Sequence, residues 1–408
     1  MDERIVITGI GLITPIGNNL PQIRKSLIDK CSGVTSLEVK RIGKQFAGCC
    51  DYDRYQHQTK KQVRVGTQAG NMATHCSMDA ILSSKLTKES LPSDRTGVFV
   101  GFTEHGSNQS SDAIEVVNDN DGDFRFWSHH QNAKIISNNP SGEVAITLGL
   151  KGPHFCIGGA CAASNISMIQ AINALKLGDI DLAIAGGVSE APRGFGTFMS
   201  FKSQNALAQH DDPARASRPF DKDRNGIIIS EGGAMYTIER LTSAIKRKAN
   251  ILCEIVGYSI TSDGSGYVHP EVDGQVRCMT GALTKAGLEP EQINILNTHA
   301  TSTPAGDIVE AASINNIFNS KTHVNNTKSF VGHTMGAAGG IELAGNIPSF
   351  ADNLIHPTIN IDNLDPECDI PGLVINDALQ VSQPVQYIMS NSFGMLGTNT
   401  SIIVKRYN

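Results

Sequence analysis

The sequence predicts an α/β protein, with sheets buried between helical layers and two halves sharing one body. Three observations carry this expectation. Short aliphatic runs beside small-residue turns alternate with stretches of helical period. The alternation restarts after about residue 250, which places the halves at 1–250 and 251–408. No Pro/Ser/Gly-rich linker separates them. Composition agrees: 40% of the 408 residues are hydrophobic and 18% are charged, which excludes a disordered polyelectrolyte. Aromatics are only 5%, while the 40 glycines exceed the usual ~7%. The core is therefore expected to consist of small and branched aliphatic side chains, with many tight turns.

Taken in order, residues 4–9 read as a strand, and 67–83 as a helix with Ala, Met and Ile at helical spacing. Residues 95–101 (RTGVFVG) read as a second strand. The stretch 152–175 lacks Asp, Glu, Lys and Arg and is long enough to raise the question of a membrane span. Gly158, Gly159, Ser164, Asn165, Ser167 and Gln170 interrupt it, so it reads as a buried strand, a turn and a helix over 164–177. Residues 181–187 (DLAIAGG) follow as a strand. In the second half, 252–260 reads as strand, 274–286 as helix, 293–297 as strand and 340–351 as helix. Residues 387–390 and 400–405 read as closing strands.

A net charge of −6 argues against nucleic acid as the main partner, because phosphate binding wants a basic face. The first residues, MDERIVI, lack the cationic and apolar regions of a secretory signal. The nine cysteines are odd in number and irregularly spaced, with no CxxC pair. A reduced cytoplasm fits them, most thiols acting as small buried hydrophobes.

One cysteine stands apart. In Cys156-Ile-Gly-Gly-Ala-Cys161-Ala-Ala-Ser, an apolar strand ends in small residues and a helix begins near Cys161. Such a turn exposes the sulfur at a helix N-terminus, where free N–H groups and the macrodipole favour thiolate. The layout parallels the nucleophile elbow of serine hydrolases. A buried structural thiol is the plainer reading of an arbitrary cysteine, and Cys156 keeps it.

A second motif, Asn297-Thr298-His299-Ala300-Thr301-Ser302-Thr303-Pro304-Ala305-Gly306-Asp307, places His299 at a strand end among hydroxyls. Thr301 and Thr303 are placed to hydrogen-bond an amide-bearing substrate arm. A third runs from Asn326 through Lys328 and Gly332-His333-Thr334-Met335-Gly336 to Glu342. A phosphate-cradling loop competes for that segment, but GxxxxGK[ST] is absent and Lys328 precedes the glycines. The fourth, residues 391–399 with Phe393, Met395 and Leu396, reads as a loop between the last strands, able to offer backbone N–H groups. Zinc is a rival use of Cys161, His299 and His333, although no two of them show paired-ligand spacing.

Together these motifs resemble the β-ketoacyl-acyl-carrier-protein synthases, the elongating ketosynthase branch of the thiolase-like superfamily. The likeness runs from Ile7-Thr8-Gly9-Ile10-Gly11 and Thr14-Pro15-Ile16-Gly17 to Gly397-Thr398-Asn399. It includes Gly149-Leu150-Lys151-Gly152-Pro153 and Ser217-Arg218-Pro219-Phe220-Asp221, followed by Gly226 and Ser230-Glu231-Gly232. The resemblance implies a duplicated five-layer α-β-α-β-α fold, homodimeric or paired with a chain-length-factor-like homologue. It implies that Cys161 takes an acyl chain from the phosphopantetheine of an acyl carrier protein, and that decarboxylated malonyl-carrier protein then attacks the thioester. His299 and His333 would stabilise the enolate, and Lys328 and Glu342 would organise charge and water around them. The N–H groups of Cys161 and Met395 would form an oxyanion hole. Thr301, Thr303, Phe393 and Met395 would line the pantetheine and substrate path. No metal or dissociable cofactor is implied, nor any insertion into a membrane.

Departures from the family pattern are informative. Ala300 replaces the usual glycine of HGTxT, a change tolerated where φ stays negative. Met395-Leu396 replace the Phe-Gly pair of the acyl-pocket gate, and Ile227 stands where Phe is common. An arginine that contacts the carrier protein is Asn205, leaving Lys60, Lys61 and Arg64 as the candidate basic patch. The altered gate and Ile227 point to a specialised type II pathway, such as an aryl polyene or other polyketide. The alternatives are thiolase, which uses a second cysteine, and a non-catalytic chain-length factor, which lacks the nucleophile. An initiating ketosynthase would carry Asn in place of His333.

Overall fold

The computed structural model describes residues 3–407. The first half supplies strands β1 (Ile5–Ile13), β2 (Thr96–Gly101), β3 (His154–Ile157), β4 (Leu182–Ser189) and β5 (Gly232–Arg240). The second supplies β6 (Cys253–Ser262), β7 (Ile295–Asn297), β8 (His323–Asn325), β9 (Tyr387–Gly394) and β10 (Thr398–Arg406). All ten join in the order β8-β7-β9-β10-β6-β1-β5-β4-β2-β3. Read outward from the middle, each half runs first, fifth, fourth, second, third strand. The pairing senses match as well. β1–β5, β5–β4, β6–β10 and β10–β9 are antiparallel. β4–β2, β2–β3, β9–β7 and β7–β8 are parallel. The halves meet where β1 pairs with β6, through Ile5↔Ile255, Val6↔Glu254 and Ile7↔Cys253.

Five helices close the layers: α1 (Gln68–Ser83), α2 (Ala163–Leu177), α3 (Val272–Ala286), α4 (Pro304–Asn315) and α5 (Ala338–Asn346). α1 covers one outer face against β1, β5 and β4, and α3 covers the other against β6 and β10. α2 and α5 pack on each other and touch strands of both halves, so they form the middle layer. Every residue of α5 is buried. Strands covered on both faces are buried along their whole length and largely apolar, as β1 and β4 are. Among the described residues no helix is long and apolar enough to cross a membrane.

Close packing explains where elements run beyond the sequence reading. β1 continues to Ile13 through Gly9 and Gly11. A Cβ on these glycines would lie 2.0 Å from the Ala80 carbonyl oxygen and 1.9 Å from that of Cys76, so their bareness lets α1 settle onto the strand. The helix expected over 340–351 is two pieces, α5 and Ser349–Asp352, broken at Pro348. The loop expected over 391–399 is corrected further: Asn391 to Gly394 belong to β9, and only Met395–Gly397 turn the chain. The register Asn391↔Ser401 to Gly394↔Thr398 satisfies this polar segment through the ladder. Its side chains show no apolar alternation, so the strand is invisible to periodicity.

Candidate active site

After β3, Gly158 and Gly159 turn the chain, and Ala160 adopts the left-handed region at φ +47°. A short 3₁₀ turn, Ala160–Ala162, then leads into α2. This strained entry carries Cys161. β9 pins it from the other half: the Ser392 hydroxyl donates to the Cys161 carbonyl at 2.9 Å. Thr400 in turn donates to the Ser392 carbonyl at 2.7 Å. Behind β8 an equivalent entry leads into α5, where Met335 has φ +44° and begins the 3₁₀ turn Met335–Ala337.

His299 arrives on a loop tied down by buried acids. The His299 and Ala300 N–H groups donate to Glu310 of α4 at 2.8 and 2.6 Å. The Thr301 N–H donates to Asp307 at 3.0 Å. Burial pushes the Glu310 carboxyl up to about 8 and that of Asp307 up to about 6, with Lys328 and Arg224 respectively pulling them back. His333 is fixed by backbone bonds on both sides, its N–H to Ile228 at 2.7 Å and its carbonyl from Ser230 at 3.0 Å. The Ser217-Arg218 landmark performs a similar service. The Ser217 hydroxyl donates to the Lys328 carbonyl at 2.8 Å, and the Arg218 N–H to the Ser302 hydroxyl at 3.0 Å.

These constraints converge on the sulfur. His333 Nε2 lies 2.9 Å from Cys161 Sγ. The Met335 N–H donates to His333 Nδ1 at 3.3 Å. Lys328 Nζ sits 3.2 Å from His299 Nδ1 and pairs with Glu342. With each Nδ1 accepting, each neutral ring carries its proton on Nε2 and presents an N–H donor. The two rings meet edge to face, with centroids 5.4 Å apart. Burial, then the Lys328 charge, hold both histidines well below their ordinary range, so both stay uncharged. The backbone N–H groups of Cys161 and Met395 both act on the sulfur.

The thiol itself departs from the sequence expectation. Burial raises Cys161 to about 11, outweighing Lys328 and the two N–H groups that favour thiolate. A helix N-terminus alone therefore does not ionise it.

Cys161, His299 and His333 line a cleft of about 410 Å³. Thr301, Thr303, Phe393, Met395 and Ile227 line it too, as does Asn205. The Thr301 and Thr303 hydroxyls are 3.1 Å apart, and Phe393 packs against His299 with centroids 6.0 Å apart. Leu396 is the exception: it is absent from the lining, it is 66% exposed, and it takes φ +64°. Leu396 lies inside the tight turn and points away from the cleft, so of the three residues expected at the gate only Met395 and Ile227 line it. Ala300 is not among the positive-φ residues, as its replacement of glycine requires. Lys60, Lys61 and Arg64 are exposed on the helix Lys60–Val65, outside the cleft. Glu310 escaped the sequence reading; its signal is the spacing Asp307-x-x-Glu310, two acids on one helix face behind the His299 loop. The Cys161, His299 and His333 donor atoms lie within 4.8 Å of one another, close enough to grip a metal. The Lys328 ammonium against His299 opposes a second cation there.

Comparison with known proteins decides among the chemistries this geometry allows. Residues 2–244 match the model of the β-ketoacyl synthase N-terminal domain, and residues 252–362 that of its C-terminal domain. The chain belongs to the β-ketoacyl synthase family. It is 35% identical to a 3-oxoacyl-[acyl-carrier-protein] synthase 2 of Synechocystis, covering 99% of this chain and 98% of that one. A synthase of the same name from Staphylococcus aureus strain COL is 34% identical, over 100% and 99% of the two chains. Among solved structures, a β-ketoacyl synthase from Burkholderia phymatum superposes with TM-score 0.93 at 27% identity, and the ishigamide ketosynthase/chain length factor with TM-score 0.91 at 28%; all of both chains are covered in each case. The fold is thus the duplicated thiolase-like architecture of the ketosynthases.

Proposed function

We propose that this chain is an elongating β-ketoacyl-acyl-carrier-protein synthase, a carbon–carbon bond-forming acyltransferase. One observation carries the reading: two neutral imidazoles, each with Nδ1 occupied by a donor, aim Nε2–H groups into a cleft floored by a cysteine. In the first stage Cys161 attacks an acyl thioester on carrier-protein pantetheine. The acyl group moves to its sulfur, the thiol proton leaves with the pantetheine sulfur, and the N–H groups of Cys161 and Met395 hold the developing oxyanion. One such donor typically contributes ~10²–10³ in rate. In the second stage malonyl-carrier protein binds, its C–COO⁻ bond breaks, and CO₂ departs. The electron pair remains as an enolate held by the Nε2–H groups of His299 and His333. The enolate attacks the Cys161 thioester and expels the sulfur, leaving 3-oxoacyl-carrier protein.

Neutral histidines suit this task, because a hydrogen-bond donor stabilises the enolate without protonating it. Lys328 and Glu342 keep His299 in the donating tautomer. Thr301 and Thr303 bond the pantetheine amides, and Phe393 and Met395 border that arm. No metal or dissociable cofactor takes part. The acyl carrier protein docks through Lys60, Lys61 and Arg64, and the chain works in the cytoplasm as a homodimer or beside a chain-length-factor-like homologue. Met395 and Ile227 favour a specialised polyketide or polyene pathway. Against thiolase, no cysteine other than Cys161 lines the cleft among the described residues. Against a chain-length factor, the nucleophile is present.

The test uses Cys161→Gln with malonyl-carrier protein. Condensation is lost, while CO₂ release from the malonyl group continues. Loss of CO₂ release in a folded protein overturns the histidine roles. The pathway assignment fails if the wild-type chain alone extends saturated acyl groups from short to long.

A further inference from the structure

A second cluster of ligating side chains lies outside the cleft. His75 and Asp79 stand one turn apart on α1, which is held against β1, and His57 approaches from the segment before the helix Lys60–Val65. His57 Nε2 is 2.7 Å from one Asp79 oxygen, and His75 Nε2 is 3.3 Å from the other. The donor atoms of the three residues lie within 4.8 Å of one another.

We propose that His57, His75 and Asp79 bind one divalent transition-metal ion of the zinc class. The donor set suits that class: two imidazoles and one carboxylate favour Zn²⁺ or Co²⁺ over Ca²⁺ and Mg²⁺, which take oxygen ligands. The spacing suits it too. Tetrahedral bonds of ~2.0–2.1 Å place ligand atoms about 3.4 Å apart, inside the spread of this cluster. Chelation then asks mainly that His57 draw back from Asp79, and His57 sits on a connecting segment rather than a packed helix.

The cluster is also open at its edge. His75 is 3% exposed, yet its Nδ1 has no hydrogen-bond partner, and neither does the buried hydroxyl of Tyr52. The Tyr52 ring meets His75 edge-on, with centroids 5.3 Å apart. Orphaned buried polar atoms mark places where a water or ion completes the set. A polar cavity of about 480 Å³, lined by Asn18, Gln22, Tyr52 and Gln56 together with His75 and Asp79, gives entry from solvent. It leaves room for water in the fourth position of the metal. The ion would bind the 51–59 segment to α1, and it plays no part in the condensation chemistry proposed above.

The experiment uses the full chain stripped with chelator, with Cys161 alkylated so that the catalytic cluster does not compete. Zn²⁺ titration by calorimetry shows one equivalent bound, and Co²⁺ gives the visible absorption of a four- or five-coordinate site. His57→Ala, His75→Ala and Asp79→Ala each weaken binding by more than the ~10–100-fold typical of losing an outer partner. Should the helix variants fail to fold, His57→Ala on its segment still decides. Absence of Zn²⁺ and Co²⁺ binding overturns the proposal and leaves a hydrogen-bonded His–Asp–His network. Binding of unchanged strength in a folded His57→Ala overturns it equally.

Discussion

Cys161 has to be nucleophilic in a place that penalises its charge. The N–H groups at the helix entry and the Lys328 ammonium favour thiolate, but desolvation is the larger effect and holds the thiol near 11. A raised thiol value means that the reactive form grows with pH throughout the working range. Alkylation of the free enzyme by iodoacetamide should therefore quicken by about tenfold per pH unit between neutrality and pH 9. A plateau near neutrality would show that the helix entry wins. The same residue-scale balance explains the histidines. Their burial, reinforced by Lys328, keeps them neutral, which is the form that donates from Nε2 while accepting at Nδ1.

At the scale of elements, the site depends on turns that admit no bulk. The end of β4 wedges between the entries to α2 and α5. A Cβ on Gly187 would stand 2.3 Å from the Gly336 carbonyl oxygen and 2.8 Å from the Ser164 Cβ. Because backbone is in the way, Gly187→Ala must push the Cys161 and His333 turns apart. It should cost about 1–3 kcal/mol of stability and slow Cys161 acylation. Gly196→Ala, which meets nothing within 4 Å and lies in the helix Phe195–Ser203, should leave acylation unchanged and should not lower stability. Melting temperatures and acylation rates of the pair check this. Elements of this kind were legible in the sequence where the information is local: Cys161, His299 and His333 each sit in a small-residue turn after an apolar run. Glu310 was not, because its role needs a helix to fold back under a loop. The polar end of β9 was hidden for a related reason, since Asn391 and Ser392 are satisfied by β10 and by the Cys161 turn rather than by an apolar face.

The whole molecule has little that can be taken away. α5 belongs to the second half in sequence, yet it is buried at every residue against helix and strands of both halves. Cutting the chain near residue 250 would bare that helix and break the β1–β6 junction. Urea unfolding should accordingly show one transition, with near-ultraviolet dichroism and Cys161 reactivity moving together. A plateau between two transitions would mark the halves as independent. The repeated topology was the least legible feature in the sequence, because the two halves share strand order and sense but no motif that the eye can align.

The two strained entries, at Ala160 and at Met335, occupy corresponding places in that repeat, and their 3₁₀ turns pack directly against each other. Cys161 follows the first, and Gly336, with no side chain at all, follows the second. A duplicated fold offers each position twice, but a condensation joins two unlike partners, one electrophilic and one carbanionic. Here the second entry has no nucleophile and carries His333 three residues ahead of Gly336 instead. The repeat therefore brings unlike groups to one site, the sulfur of Cys161 from the first half and the imidazole of His333 from the second, 2.9 Å apart.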